Sequence, residues 1–261
     1  METLYNRIGD SYDITRRADP EIARLIRNHL DIPNGSKVLD AACGTGNYTV
    51  ALAQSGLEMV GVDISSKMIS QAHEKSSVIN WEVANIEKLP FENNYFNGIA
   101  CILAIHHFES LLKSFQEIYR CLDFGSRFVI FTSTPEQINL YWLKEYFPKA
   151  IEASAKQMPT LAEVTKALGD SGFSIVGTET FLVQPDLEDF FLYSGKFKPE
   201  LYLDPQVRAG ISTFANLSSE EDVEDGCKKL KHDIDTNQVE KVISKYSSYL
   251  GDYLFIIAEK K

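Results

Sequence analysis

The sequence has few of the features that mark secreted, membrane or nucleic-acid-binding proteins. The amino terminus reads METLYNRIGDSYD and shows neither the basic start nor the apolar stretch of a signal peptide. No apolar run approaches the ~20 residues needed to span a bilayer. The 26 Lys and Arg are outnumbered by 37 Asp and Glu, which gives a formal net charge of −11. That charge argues against a broad nucleic-acid-binding surface and an anionic membrane partner, so we expect a cytoplasmic protein without either.

Cysteine is also scarce, and its spacing is not that of a metal site. The chain has four cysteines: Cys43, Cys101, Cys121 and Cys227. They form no CxxC pair, and three lie in or beside predicted strands, where reduced cysteine serves as a small apolar residue. The adjacent pair His106 and His107 has no further histidine or acid at ligand spacing, and neighbouring side chains are expected to point in different directions. We therefore predict no metal.

Strand and helix signals alternate through the first half of the chain. Five apolar segments predict strands: KVLDAA, EMVGVDI, INWEVAN, FNGIACILA and RFVIFTS. Helical spacing of apolar residues separates them, as in the segment after Asp19 and Pro20, which form an N-cap followed by proline at the first helical position. Continuous apolar strands that alternate with helices predict an α/β fold with a doubly wound, mostly parallel sheet.

The second half of the chain is less regular. Thr160 and Glu163 form a capping box that opens a helix, and FSIVGTETFLV and YLFIIAEK predict two further strands. Between these strands lie residues 186–250, which carry helical patterns and a second possible capping box at Ser218 and Glu221. We interpret them as a helical insertion before the last strand of a single domain, 1–261, and as the substrate lid.

The stretch VLDAACGTGNYT places a glycine turn directly after a predicted strand. Glycine at such a turn lets the backbone approach a ligand closely. A phosphate-binding loop needs a lysine followed by Ser or Thr after its second glycine, but Gly46 is followed by Asn47 and Tyr48. A dinucleotide fingerprint needs a third small residue, and Thr49 stands there. The turn is therefore typical of neither a triphosphate nor a dinucleotide site.

Two acids near the turn indicate a different ligand. Asp40 precedes the glycines, where a carboxylate is poorly placed to meet a phosphate and well placed to meet an amine. Asp63 ends the second predicted strand, where an acid commonly hydrogen-bonds ribose hydroxyls. A nucleoside with an amino-acid-like arm, such as S-adenosylmethionine, matches both acids. Two simpler interpretations stay open: the glycines only close a turn, and Asp63 only caps the next helix.

Four motifs in order resemble those of the class I S-adenosylmethionine-dependent methyltransferases. VLDAACGTG is similar to their first motif and VGVDISSKMISQA to their second. ANIEKLPFENNYFNGI and ILAIHHF resemble the segments before and after their fourth strand, and YDITRRADP resembles their entry segment, which folds over the cofactor. The four motifs cover Val38 to about Phe131. The resemblance implies a Rossmann-like, mostly parallel seven-stranded sheet with a cofactor-binding core at 36–135 and an N-terminal cap segment at 1–35.

The resemblance also implies positions that contact S-adenosylmethionine. They are Tyr12, Arg16, Asp40, Ala41, Gly44, Gly46, Asp63, Ile64, Met68, Asn85, Ile86 and Leu103. Arg16 matches the arginine that would hold the methionine carboxylate. Three departures from the family pattern stand out: Asn85 replaces the usual acid near the adenine, Asn97 replaces a usual aspartate, and residues 122–126 replace the usual Leu-Lys-Pro-Gly-Gly turn.

The resemblance implies methyl transfer from S-adenosylmethionine to a small-molecule acceptor by in-line displacement. His107 is the candidate proton acceptor, although a structural or substrate-positioning role is the favoured interpretation. The aromatic cluster Tyr141, Trp142, Tyr146 and Phe147 predicts the core of an added helix and is the best candidate for a substrate wall. Two alternatives stay open: a cofactor-binding regulatory protein without transferase activity, and a methyltransferase of tRNA or protein. We expect a monomer or homodimer.

Overall fold

The structure is a computed structural model that describes residues 15–246 and 248–261 of the chain. Seven strands form one sheet: β1 (Lys37–Ala41), β2 (Glu58–Asp63), β3 (Asn80–Val83), β4 (Phe96–Ile102), β5 (Leu122–Thr132), β6 (Phe173–Phe181) and β7 (Tyr253–Lys260). Their order is β3-β2-β1-β4-β5-β7-β6. Strand β7 runs antiparallel to β5 and β6, and the pairs among β1 to β5 are parallel. The predicted doubly wound, mostly parallel sheet is confirmed.

Helices follow most strands and cover both faces of the sheet. The α-helices are α1 (Pro20–Leu30), α2 (Asn47–Gln54), α3 (Ser66–Lys75), α4 (Leu111–Cys121), α5 (Pro135–Asn139), α6 (Pro148–Gln157), α7 (Leu161–Asp170), α8 (Pro205–Ala209), α9 (Ser212–Leu217), α10 (Glu220–Asp235) and α11 (Val239–Ile243). Short 3₁₀ turns occur at Ile105–His107, Trp142–Glu145 and Pro199–Leu203. Two clusters of buried apolar residues fill the space between the sheet and its helices.

Local sequence signals account for several helix boundaries. The Asp19 side chain accepts hydrogen bonds from the backbone N–H groups of Glu21 and Ile22, which makes it the predicted N-cap of α1. Thr160 and Glu163 form both bonds of the predicted capping box of α7. The expected box at Ser218 and Glu221 is wrong by one residue. The cap of α10 is Ser219, which accepts from the N–H of Asp222.

The fifth strand begins earlier than its sequence indicates. We expected a strand at RFVIFTS after an altered turn at 122–126, but α4 passes directly into β5 at Leu122. The pairing with β4 shifts between Phe96, which faces Leu122, and Gly98, which faces Arg127. The shift bulges the extra residues out of the parallel ladder, and Gly125 at φ 74° supports that bulge because glycine tolerates left-handed backbone.

The long connection between β6 and β7 contains α8 to α11. It folds back onto the same apolar cluster as β5 and α6, so it is packed against the sheet domain. Among the helices of the described residues, none has the length and apolar character to cross a membrane.

Candidate functional site

The main cavity opens at the carboxyl ends of β1, β2 and β4 and has a volume of about 280 Å³. Strands β1 and β4 are neighbours in the sheet. From β1 the chain continues to β2 on one side of this pair, and from β4 it continues to β5 on the other side. This reversal is the topological switch point at which doubly wound sheets bind ligands. The cavity is therefore where the fold predicts a site to be.

The glycine turn after β1 forms one wall of the cavity. Ala42, Gly44 and Gly46 have φ values of 63°, 55° and 78°, a left-handed backbone that turns the chain sharply before α2. Ala42 and Gly44 line the cavity. Gly46 does not line it: a Cβ there would overlap the ring of Trp81, so this glycine permits close packing of α2. Ala41 also lies outside the cavity lining, fully buried in the sheet core.

Asp40 ends β1 beneath the turn and is only 2% exposed. One of its oxygens accepts a hydrogen bond of 2.6 Å from the Thr49 hydroxyl. Burial raises the pKa of Asp40 to about 7, against the lowering effect of the Thr49 bond, and the nearby Asp63 carboxylate raises it further. A cationic ligand group would favour the ionised form. Thr49, which argued against a dinucleotide, thus serves to hold this acid.

Asp63 ends β2 and joins the second motif to the first. Its Oδ2 accepts from the N–H of Gly44 at 2.9 Å, and its Oδ1 accepts from the N–H of Ser65 at 2.8 Å. Burial raises the pKa of Asp63, and these backbone hydrogen bonds oppose the rise. Asp63 lines the cavity, and the N-cap of α3 is Ser65, so Asp63 does not itself cap that helix.

Four further predicted residues form the wall beyond β2 and β3. Ile64, Met68, Asn85 and Ile86 all line the cavity. Met68 is buried at the start of α3, whereas Ile64 is 54% exposed. The side-chain oxygen of Asn85 accepts from the N–H of Glu87 at 2.8 Å, which fixes the side chain in a local turn. Ile64, Met68 and Ile86 make this wall apolar, and Asn85 adds one amide group. A flat ring such as adenine packs well against a wall of this composition.

The segment after β4 brings Leu103, His106 and His107 to the cavity. Leu103 directly follows β4, the strand next to β1, and its backbone is left-handed with a φ of 53°. The expectation that the two histidine side chains point apart is wrong, because in the 3₁₀ turn their ring centroids lie 3.9 Å from each other, with the ring planes inclined by 47°. The Nδ1 atom of His106 is buried and has no hydrogen-bond partner within the described residues.

Both histidines are held in the neutral form. Burial lowers the pKa of His107 to about 4, and burial together with His107 lowers the pKa of His106 well below its usual range. A neutral imidazole can accept a hydrogen bond from a ligand. In the described part of the chain, no three His, Cys, Asp or Glu side chains lie close enough to hold a metal ion.

A buried ion pair joins the N-terminal segment to the insertion at the cavity. The Nε and Nη2 atoms of Arg16 contact the two carboxylate oxygens of Asp189, at 2.5 Å and 3.3 Å. The Tyr48 hydroxyl also donates to Asp189, at 3.1 Å. Arg16, Tyr48 and Asp189 all line the cavity. Sequence reasoning missed Asp189 because nothing in its local pattern marks it. The predicted contact Tyr12 lies outside the described residues.

The aromatic cluster of residues 141–147 does not line the cavity, so its interpretation as a substrate wall is wrong. Tyr141, Trp142, Tyr146 and Phe147 are each at most 3% exposed and belong to the apolar core. The hydroxyls of Tyr141 and Tyr202 lie 2.6 Å apart, and Tyr202 donates to the carbonyl of Leu192 at 2.5 Å. Since Leu192 lines the cavity, the cluster supports the wall from behind.

The doubly wound sheet with a cavity at its topological switch point defines a Rossmann-like α/β fold, and comparison with known proteins identifies the family. The family described as "Methyltransferase domain" matches residues 39–130. The demethylmenaquinone methyltransferase of Lactiplantibacillus plantarum is 33% identical over 170 residues, which are 58% of this chain and 70% of that protein. That of Corynebacterium urealyticum is 30% identical over 179 residues, 66% of this chain and 76% of the relative.

A solved structure resembles nearly the whole chain. It is described as a methyltransferase of an antibiotic biosynthesis pathway from Anabaena variabilis, is 33% identical, and superimposes with a TM-score of 0.84 over 95% of this chain and 99% of the other. The present chain belongs to the class I S-adenosylmethionine-dependent methyltransferases. It is an enzyme of that family.

Proposed function

We propose that this protein transfers a methyl group from S-adenosylmethionine to a small-molecule acceptor bound in the same cavity. The observation that carries the proposal is the linkage of two acids at neighbouring strand ends. Asp63 holds the N–H of Gly44 in the glycine turn, and Asp40 lies beneath that turn. Both acids line one cavity. The pair presents acceptors for hydroxyl groups and for an ammonium group, which together are the polar groups of a nucleoside with an amino-acid arm.

The residues around the cavity fit S-adenosylmethionine. Asp63 would receive the ribose hydroxyls, and Ile64, Met68 and Ile86 would pack against the adenine, with the Asn85 amide beside its amino group. Asp40 would meet the ammonium group, whose charge lowers the free energy of the ionised carboxylate in that buried position. When bound, the cofactor supplies an electrophilic methyl group on a positively charged sulfur.

The chain's own contribution is alignment of the acceptor and exclusion of water. Holding two reactants in line at close range can supply several kcal/mol, on the order of 7–11 in well-oriented systems. The Arg16–Asp189 pair fixes Arg16 against the insertion at the cavity wall, and further insertion residues complete that wall. His106 and His107 are neutral and present ring nitrogens from which an acceptor hydroxyl can be oriented.

The acceptor is proposed to be small because the insertion contributes part of the wall of the cavity in which the acceptor would bind. Its residues Asp189, Phe191 and Ile211 lie on the cavity wall. The net charge of −11 disfavours tRNA as the acceptor. The two curated relatives are named for demethylmenaquinone, itself a small molecule. Their naming as methyltransferases also disfavours a purely regulatory role.

The proposal is tested by calorimetric titration of the protein with S-adenosylhomocysteine and S-adenosylmethionine. We expect binding of both, and absence of binding at millimolar concentration would refute the proposal. The variant Asp63→Ala should weaken binding by roughly 10- to 100-fold, since it removes charged hydrogen bonds of about 1.5–3 kcal/mol. Asp63→Asn keeps an oxygen for the Gly44 or Ser65 N–H and separates loss of the ligand contact from loosening of the turn.

The control variant is Glu58→Ala, at the exposed opposite end of the same strand. It removes a carboxylate from β2 without touching the cavity, so its affinity for S-adenosylhomocysteine should equal that of the wild type. If Asp63→Ala and Glu58→Ala bind equally well, Asp63 does not contact the ribose.

A further inference from the structure

The cavity extends past β4 into a region that the cofactor-binding motifs do not form. Its walls come from the segments after β5, from α6, from the insertion and from the start of β7. Six apolar side chains line it: Ile138, Met158, Phe191, Leu192, Ile211 and Tyr253. Five of these six are at most 7% exposed, and Met158 is partly buried. This acceptor region is therefore a preformed apolar wall.

The charged groups near the acceptor region are already paired or lie at the cavity mouth. Both carboxylate oxygens of Asp189 contact the Arg16 guanidinium, and one also accepts from Tyr48. Arg17 and Glu109 are exposed at the rim. Asp40 lies at the β1 end, beneath the glycine turn. Within the described residues that line the acceptor region, Asp189 is the one ionisable carboxylate, and its charge is compensated by Arg16.

Besides the Arg16–Asp189 pair, the acceptor region presents hydroxyl groups, among them those of Ser154 and Thr213. Thr213 donates to the Oγ of Ser154 at 3.1 Å, and both side chains are more than nine-tenths buried. They join α9 of the insertion to α6 across the cavity wall. Hydroxyl groups can hydrogen-bond a carbonyl or hydroxyl oxygen of a ligand, but they cannot neutralise an ionic group.

We propose that the methyl acceptor is an uncharged molecule with a predominantly apolar body, and that the acceptor region binds this body. The inference rests on the proposed function and specifies its substrate class. Among the described residues that line the cavity, the Arg and Lys side chains are Arg16, which is paired with Asp189, and Arg17, which is exposed at the rim. A carboxylate or phosphate held within the apolar wall would therefore lack a cation beside it among these residues. An ammonium group would find the Asp189 oxygens occupied. Burying an unpaired ion costs several kcal/mol of binding free energy, and hydrogen bonds from the hydroxyl groups offset only a small part of that cost.

The test compares three probes of equal ring size that differ in charge at pH 7.5: 1-naphthol, 1-naphthoate and 1-naphthylmethylammonium. Each is titrated by calorimetry into the full-length protein saturated with S-adenosylhomocysteine. We expect 1-naphthol to bind at least tenfold more tightly than either ion. Equal or tighter binding of an ion would overturn the inference, and so would failure of all three probes to bind at millimolar concentration.

A charge placed in the wall should reverse the preference. Met158 is partly exposed at the end of α6, so Met158→Glu adds a carboxylate to the acceptor region at a position that tolerates it. We expect this variant to bind 1-naphthol at least fivefold more weakly and the ammonium probe more tightly than the wild type does. The control is Val78→Glu, a 92% exposed site outside the cavity, which should leave all three affinities unchanged.

The experiment separates this inference from the proposed function. Retained affinity of Met158→Glu for S-adenosylhomocysteine shows that the variant is folded and that the cofactor half is intact. Binding of S-adenosylhomocysteine without preference for the uncharged probe would refute only the substrate class. Loss of S-adenosylhomocysteine binding by the wild type would instead refute the proposed function.

Discussion

Asp189 of the insertion holds Arg16 of the N-terminal segment in a two-point ion pair at the edge of the cavity, with Nε to Oδ1 at 2.5 Å. The residues are 173 positions apart in the chain, and the Asp189 carboxylate is 1% exposed. The N–H of Phe190 also donates to the carbonyl of Thr15 at 3.0 Å. Thr15 and Arg16 thus meet the beginning of the insertion at the cavity, although the two segments are far apart in the sequence.

Removing the carboxylate of this pair should destabilise the protein. Asp189→Asn leaves the largely buried Arg16 guanidinium without its counter-charge, so we expect the free energy of unfolding to fall by about 2–4 kcal/mol in urea denaturation. The control is Arg24→Ala, which breaks an exposed pair with Glu21 on α1 and should leave stability nearly unchanged. Equal effects of the two variants would show that the Arg16–Asp189 pair is not structural.

Gly44 and Gly46 should respond differently to the same substitution. Gly46→Ala places a Cβ against Trp81, with Cζ3 at 2.7 Å, and strains a backbone at φ 78°, so we expect a loss of about 3 kcal/mol in unfolding free energy. In Gly44→Ala the new Cβ has open space around it, so we expect the unfolding free energy to fall by only about 1 kcal/mol, from the left-handed backbone. Because Gly44 lines the cavity, we also expect at least fivefold weaker binding of S-adenosylhomocysteine. Similar stability losses in the two variants would contradict this division of roles.

Asp40 should make the ligand-free protein less stable as the pH rises. Its folded pKa of about 7 exceeds the usual 3.8, so the folded state keeps a proton that the unfolded chain releases. Stability therefore falls as the pH rises from about 4 to 7, by up to about 4 kcal/mol. Asp40→Asn removes this dependence, and urea unfolding from pH 5 to 8 should show the variant gaining stability relative to the wild type.

Asp40→Asn should also weaken the binding of S-adenosylhomocysteine, because the neutral amide of Asn cannot compensate the charge of the ligand's ammonium group. Thr49→Val provides the second comparison. It removes the hydrogen bond that lowers the pKa of Asp40, so the pH dependence of stability should extend above pH 7. Parallel stability curves for the wild type and Asp40→Asn would show that Asp40 does not titrate near neutrality.

His107 should titrate far below the usual range of histidine. Burial lowers its pKa from 6.5 to about 4, so between these values the unfolded chain binds a proton that the folded protein does not. Stability is then lost as the pH falls from 6.5 to 4. NMR titration of the imidazole C–H signals should give a midpoint near pH 4. His107→Gln should flatten the acid side of the stability curve, whereas His232→Gln, on the exposed face of α10, should not.

The part of the cavity formed by the first two motifs was largely predictable from the sequence, because each motif consists of neighbouring residues. Val38 to Asp63 form a strand, a glycine turn, a helix and a second strand, and each can be recognised from a few neighbouring residues. The carboxyl ends of adjacent parallel strands share one edge, so Asp40 and Asp63 had to meet. Gly46, also predicted as a ligand contact, lies outside the cavity lining, and its packing against Trp81, 35 residues later, requires glycine for a reason that the local sequence does not show.

The acceptor region was not predictable from the sequence, because its walls come from segments that are far apart in the chain and contain no recognisable motif. Asp189 and Ile211 have ordinary neighbours in the sequence, and only the folding of the insertion onto α6 brings them to the cavity. The 3₁₀ turn after β4 likewise brings the rings of His106 and His107 into contact, which their adjacency in the sequence does not by itself require.

The amino-acid sequence by itself determined the α/β class, the strand, glycine turn and helix of the first motif, and the two acids that point to a nucleoside ligand. These follow from hydrophobic periodicity and from turn chemistry, which act over a few residues. Only the tertiary structure decided that Asp189 neutralises Arg16, that the aromatic cluster supports the cavity wall instead of lining it, and that the acceptor region is apolar. Those features depend on contacts between residues far apart in the chain, and such contacts leave no periodic pattern in the sequence.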